Sequence, residues 1–153
     1  MRATPASKEQ AYTISLQEVP VGEAPAGKAR GAQVRLLLNV SVPVFVPPAK
    51  PTPGGAVESL ELRGGRLEIV IANEGNRHFN YREARIVGLG ADGTEKFAEK
   101  ARGRTLLAGG RQKMHVQIPQ EICRQLKDVT LTLGTSEQSE VKRRLDVSRA
   151  DCE

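Results

Sequence analysis

Residues 33–46 place an aliphatic side chain at every second position over an unusually long stretch. These side chains are Val34, Leu36, Leu38, Val40, Val42 and Val44. Successive side chains of a β-strand point to opposite faces, so a period of two predicts an extended strand with one continuous apolar edge. Pro43 has no N–H to donate, which excludes this end of the strand from the centre of a regular ladder.

A shorter alternating segment precedes it at residues 12–19. Tyr12, Ile14 and Leu16 point to one side of the chain, and the polar residues between them point to the other. This pattern predicts a half-buried strand that ends at Pro20. Residues 21–31 are rich in Gly, Pro and Ala and predict a loop between the two strands.

The remainder of the chain reads as a series of short strands. Residues 47–55, which are rich in Pro and Gly, predict a stiff linker and a domain boundary. Strands are expected at residues 57–62, 66–72, 81–89, 94–97, 105–107, 113–118, 129–134 and 140–147, with a single helical turn at 120–126 and turns at 73–76 and 91–93. With aromatic residues at only 3%, the core must be built from Val, Leu and Ile. The spacing predicts an all-β sandwich.

Several function classes are disfavoured by the composition. The net charge of +5 is dispersed, and its one basic run, residues 142–144, is too short to indicate a nucleic-acid site. No apolar stretch is long enough for a membrane helix, and the first residues lack the apolar region of a signal peptide. We find no nucleophile–base pair, phosphate-binding loop or metal-ligand pattern, so we expect neither an enzyme nor a cofactor or metal site.

The two cysteines, Cys123 and Cys152, lie late in the chain. Two thiols are too few for a zinc site, which needs about four ligands. They are expected to form a structural disulfide if the protein works in an oxidising compartment, and to be inert reduced thiols otherwise.

Three motifs resemble one protein family. The first strand reads Y-x-I-x-L-x-E-V-P from Tyr12, the second ends P-V-F-V-x-P from Pro43, and a third segment reads L-x-I-x-I-x-N-x-G-N from Leu67 to Asn76. With the late cysteine pair, these resemble the periplasmic chaperones of pilus (fimbrium) assembly, in the archaic branch that serves spore-coat-U-like systems. The resemblance covers essentially the whole chain and implies two immunoglobulin-like domains.

The resemblance assigns residues 1–48 to the last two strands of a first domain and residues 49–153 to a complete second domain, so that the chain looks N-terminally truncated. It implies a periplasmic chaperone that donates a strand to incomplete pilin subunits and delivers them to an outer-membrane usher. The donor strand would use Val34, Leu36, Leu38 and Val40, and a Cys123–Cys152 bridge would tie the C-terminus to the sandwich.

Two other interpretations stay open at this stage. A pI near 9.5 fits a basic β-sandwich that binds nucleic acid or an acidic surface, although the chain lacks the interleaved aromatic residues that stack on bases. The chain would otherwise be an inactive fragment of the chaperone. We predict pilin and usher as partners, with no nucleic acid and no membrane span.

Overall fold

A computed structural model of the chain describes residues 6–19, 36–135 and 140–153. Within them the chain divides into two compact units. One unit is a hairpin, Gln10–Val46, and the other contains Pro47–Glu153 together with the described residues that precede Gln10.

The hairpin unit is a two-stranded antiparallel sheet. Strand β1 spans Gln10–Gln17 and β2 spans Asn39–Val46, in a register that pairs Gln10 with Val46 and Gln17 with Asn39. The prediction of one strand over residues 33–46 was therefore too long within the described residues. β2 begins at Asn39 because β1 ends at the opposite residue and provides no further ladder. Pro43 is accommodated opposite Thr13, since each strand has a single partner here.

The described part of the second unit contains eight strands and two short helical turns. Its strands are β3 (Gly55–Arg63), β4 (Arg66–Asn73), β5 (Phe79–Gly90), β6 (Glu95–Arg102), β7 (Thr105–Leu106), β8 (Arg111–Gln117), β9 (Leu126–Thr135) and β10 (Val141–Asp146). A helical turn, α1 (Gln120–Cys123), precedes β9, and a 3-10 turn covers Arg149–Cys152. Every predicted strand is present, with ends that differ by a few residues.

These strands form two antiparallel sheets. One has the order β10-β9-β5-β6, with β7 also paired to β5, and the other has the order β3-β4-β8. This is the order of an immunoglobulin-like sandwich in which β6, the fourth strand of the sandwich, pairs with β5, the third. The predicted fold class, an all-β sandwich with a preceding hairpin, is thereby confirmed.

The core lies between the two sheets and is aliphatic. Leu67, Ile69 and Ile71 of β4 are fully buried, as are Ile86 of β5 and Leu131 of β9. The alternation in each strand directs these side chains to the inner face, while residues such as Glu68 of β4, Arg85 of β5 and Thr132 of β9 occupy outer positions. The expectation of a core made of Val, Leu and Ile is correct.

The connections follow the turn residues of the sequence. Gly64 and Gly65 join β3 to β4 with φ of 55° and 74°, a conformation that glycine adopts without steric cost. Asp92 accepts hydrogen bonds from the backbone N–H and the hydroxyl of Thr94, which closes the β5–β6 turn. The helical turn after Pro119 ends at Cys123, three residues before the predicted end, because β9 already begins at Leu126.

The predicted disulfide between Cys123 and Cys152 is present. Both residues are buried, their Cα atoms are 5.8 Å apart, and the bridge spans 29 positions of sequence. It connects α1 to the C-terminal 3-10 turn. Gly65 N donates to the carbonyl oxygen of Asp151 at 3.1 Å, which fastens the same turn to the β3–β4 connection.

The segment predicted as a linker is hydrogen-bonded to the sandwich along part of its length. Thr52 N donates to Asn76 Oδ1 at 2.7 Å, and Glu74 N donates to the carbonyl oxygen of Gly54 at 2.7 Å. Gly54 and Gly75 approach so closely that a Cβ on Gly54 would lie 1.9 Å from Gly75 N. The N-x-G-N motif at Asn73–Asn76 thus fixes this segment to the loop that follows β4.

Candidate functional site

The hairpin presents one continuous apolar face. In the β1–β2 register Tyr12 lies opposite Val44, Ile14 opposite Val42, and Leu16 opposite Val40. Residues directly opposite each other on antiparallel strands project to the same side, so these six side chains share a face. We call this set the hairpin apolar face.

Most of this face is accessible to solvent. Ile14 is 53% exposed, Leu16 is 60% exposed and Val42 is 42% exposed. In the described part of the sandwich unit, the one large apolar side chain of comparable exposure is Leu107. Contiguous exposed apolar patches are uncommon on soluble proteins and mark sites of interaction.

The opposite face of the hairpin is mainly polar. Ser15 lies opposite Ser41, and Thr13 lies opposite Pro43. Neither strand contains Asp, Glu, Lys or Arg. A surface of this kind can bind another chain through apolar contact and main-chain hydrogen bonds.

The apolar period continues past the start of β2. Leu36 and Leu38 keep the parity of Val40 and are 84% and 65% exposed. They lie outside the ladder, although Glu18 N donates to the carbonyl oxygen of Leu38 at 2.9 Å and Leu38 N donates to Glu18 Oε2 at 3.1 Å. The chain around Leu38 is therefore held beside β1 by two hydrogen bonds.

The predicted donor residues are placed as follows. Val40 lies on β2 within the hairpin apolar face, and Leu36 and Leu38 lie in the exposed segment just before β2. Val34 lies outside the described residues. The alternation at Tyr12, Ile14 and Leu16 predicted a separate half-buried strand, whereas the structure joins these residues to the same face and leaves them exposed. The sequence signal for this shared face was that both apolar rows alternate with a period of two.

The described residues contain no cluster of three or more His, Cys, Asp or Glu side chains able to hold a metal ion. Among them there is also no helix with the length and apolar character needed to cross a membrane. The buried disulfide is compatible with an extracytoplasmic location.

No protein-family model matches the chain, and no curated protein matches it. Among solved structures, the ligand-binding region of serine-glutamate repeat protein A (SgrA) of Enterococcus faecium is similar over 60% of this chain and 89% of that one. The sequence identity is 12% and the TM-score is 0.35, so the likeness carries no argument about function.

Proposed function

We propose that this chain is a chaperone-type binding protein of pilus assembly, which completes the unfinished sheet of a pilin subunit with a strand of its hairpin. The observation that carries the proposal is the exposed apolar row that runs from Leu36 through Leu38 into β2. The motif resemblance supports the choice of pilin subunits as clients and of an outer-membrane usher as the acceptor. The activity is binding and delivery, without a catalytic step.

The apolar row supplies the affinity. Fully burying one Val, Leu or Ile side chain stabilises a complex by about 1.5–3 kcal/mol. The six members of the hairpin apolar face are about half exposed, so covering them gives roughly 5–9 kcal/mol. Burial of Leu36 and Leu38 adds to that figure. This total is comparable to the cost of association, about 4–15 kcal/mol.

The main chain supplies the geometry. Within the described residues the ladders of β1 and β2 join only these two strands, so each is an edge strand of a two-stranded sheet. A sheet that lacks one strand has a complementary free edge beside an apolar groove. Strand addition satisfies both edges and places alternate side chains in the groove. Residues 36–38 extend the strand when the partner provides the missing ladder.

The proposed cellular compartment follows from the proposed binding partner, the pilin subunit. Pilin subunits of this class cross the periplasm before they reach the usher, and the Cys123–Cys152 bridge forms in an oxidising compartment of that kind. We therefore place the protein in the periplasm as part of the proposal.

The test measures binding of a purified spore-coat-U-type pilin domain that lacks its own final strand. The pilin is immobilised, and the full chain and its Leu36→Glu variant are compared by biolayer interferometry. Because Leu36 is 84% exposed, the substitution leaves the fold intact. We expect it to weaken binding at least about a hundredfold, since a carboxylate would have to enter an apolar pocket.

Two controls sharpen the comparison. Leu107→Glu introduces the same change at an exposed leucine of the sandwich unit and should leave the dissociation constant unchanged. A pilin domain whose missing strand is supplied in cis should not bind the native chain, because its groove is already filled. Equal binding of the Leu36→Glu and Leu107→Glu variants, or binding to the completed pilin, would contradict strand donation.

A further inference from the structure

The sandwich has a basic groove on one side. It is lined by four consecutive residues, Ala101–Arg104, and by Gln112, Lys113 and Met114 of β8, and it has a volume of about 400 Å³. β6 and β8 belong to different sheets, so the groove lies where an edge of one sheet faces an edge of the other. We call it the edge groove.

Three cations of the edge groove lack an acidic partner. Arg102, Arg104 and Lys113 are exposed, and no carboxylate of the described residues lies within 4.0 Å of their charged groups. The nearest acid in the ladder register is Glu83, which is opposite Arg102 on β5 but forms no ion pair with it. These side chains leave a concentrated positive charge in the groove.

Three other cations on these and the adjoining strands are paired with carboxylates. Arg111 lies two positions before Lys113 on β8, and its Nε atom is 2.6 Å from Glu58 Oε2. Lys96 on β6 is 3.1 Å from Asp92, and Arg85 on β5 is 3.9 Å from Glu95. The groove therefore places three exposed cations without a described carboxylate within 4.0 Å along one surface, beside salt-bridged cations on the same strands.

The backbone around the groove offers unpaired hydrogen-bonding groups. In the described residues β6 pairs only with β5, and β8 pairs only with β4, so both strands have free edges. The edge strand is interrupted between β6 and β7, where Gly103 N donates to the carbonyl oxygen of Arg82 at 2.8 Å. A Cβ at Gly103 would lie 1.9 Å from the carbonyl oxygen of Tyr81, so glycine is required for this close approach.

One polar side chain of the groove, Gln112, is hydrogen-bonded to a buried residue. The buried Tyr81 hydroxyl donates to Gln112 Oε1 at 2.8 Å. Burial raises the pKa of Tyr81, and the neighbouring positive charge of Arg104 partly opposes that rise. The bond uses the amide oxygen of Gln112, which leaves its Nε2 group as a hydrogen-bond donor at the groove.

We propose that the edge groove binds an extended acidic peptide segment. Carboxylates of the peptide would pair with Arg102, Arg104 and Lys113, and its main chain would hydrogen-bond to the free edge of β6 or β8. The described groove residues include no aromatic side chain for base stacking, which favours a peptide over a nucleic acid. The inference concerns the sandwich unit and does not rest on strand donation by the hairpin.

The test uses the full chain and a fluorescent peptide of about eight alternating Glu and Thr residues, which is the length of an ordinary strand. Binding is measured by fluorescence anisotropy at two salt concentrations. We expect the variant Arg102→Gln/Arg104→Gln/Lys113→Gln to bind at least about tenfold more weakly than the native chain. Native affinity should also fall as salt is raised.

The matched control is Arg85→Gln/Lys96→Gln/Arg111→Gln, which removes the same net charge from paired positions. It should bind the peptide within about threefold of the native chain. A Gln/Thr peptide should not bind. Thermal melting of both triple variants verifies that each is folded.

Three outcomes would overturn the proposal. The first is an equal loss of affinity in the two triple variants, which would indicate a diffuse charge effect. The second is tighter binding of a single-stranded oligonucleotide than of the peptide. The third is a native chain that does not bind the peptide, together with a groove variant that aggregates. That result would mean that the cations only protect the sheet edges from pairing with other chains.

Discussion

Replacing Asn73 should destabilise the sandwich far more than its size suggests. Asn73 ends β4 and is 1% exposed. Its Nδ2 group donates to the carbonyl oxygens of Arg77 at 2.7 Å and Leu106 at 3.0 Å, and its Oδ1 accepts from Gly75 N at 3.0 Å. The bond to Leu106 joins β4 of one sheet to β7 of the other, so Asn73 connects the two sheets through a buried hydrogen bond.

The magnitude follows from these three bonds. A buried hydrogen bond contributes about 1 kcal/mol net, and a partner left unsatisfied costs about 1–3 kcal/mol. Asn73→Ala removes all three bonds and leaves two carbonyl groups and one N–H without their partner. We expect the free energy of unfolding to fall by about 3–5 kcal/mol.

The assay is equilibrium unfolding in urea, followed by far-UV circular dichroism, with Asn76→Ala as the matched control. The Asn76 side chain also makes three hydrogen bonds, to Thr52 N and to the carbonyl oxygens of Ser7 and Lys50. That site is more exposed, so water replaces the lost partners and the cost should be about 1 kcal/mol.

A second variant at the same position tests whether the side chain at position 73 must donate hydrogen bonds. Asn73→Asp keeps an acceptor for Gly75 N but directs a carboxylate oxygen at two carbonyl oxygens in a buried site. At neutral pH the free energy of unfolding of Asn73→Asp should be no higher than that of Asn73→Ala. The difference between the two variants should narrow at low pH, where a protonated carboxyl group can donate a hydrogen bond. Equal losses for Asn73→Ala and Asn76→Ala would refute the argument.

Two further predictions concern the disulfide and the acid limit of stability. The double variant Cys123→Ala/Cys152→Ala should lose about 3–4 kcal/mol in urea unfolding, because the bridge closes a loop of 29 residues. An unchanged midpoint of the urea unfolding curve would contradict this estimate. Hydrogen bonds from Thr94 and Lys96 lower the pKa of Asp92 from 3.8 to about 2, and those from Ser148 lower the pKa of Asp151. Both groups contribute fully to stability above pH 3.8 and lose that contribution as the pH falls below it, in the case of Asp92 through about pH 2. Melting temperatures should therefore decline below pH 3.8, and Asp151→Asn should flatten the decline.

Much of the sandwich was predictable because local patterns and tertiary packing agree. Leu67, Ile69 and Ile71 alternate in the sequence, and all three are fully buried in the core. The glycines after β3 lie at a turn that requires positive φ. The strand order was not predicted, since period and turn signals locate strands without specifying which ones pair, and the resemblance implied only the immunoglobulin-like fold.

The candidate sites were predictable to different degrees. The alternation of Leu36, Leu38 and Val40 indicated an apolar strand edge, but the start of β2 at Asn39 depends on where its partner β1 ends. The edge groove was absent from the sequence analysis. Lys113 is separated from Arg102 by a turn and a change of sheet, and only the folded chain brings them to one groove.

Side-chain period and turn residues determined that this chain is an all-β sandwich, because these are local properties that each strand and turn expresses on its own. Tertiary structure decided that Cys123 and Cys152 meet, which apolar face stays exposed and which of the described cations lack an acidic partner. All three depend on what lies near a residue in space: Val42 pairs with Ile14 and stays 42% exposed, and Lys113 has no described carboxylate within 4.0 Å whereas Arg111 has Glu58.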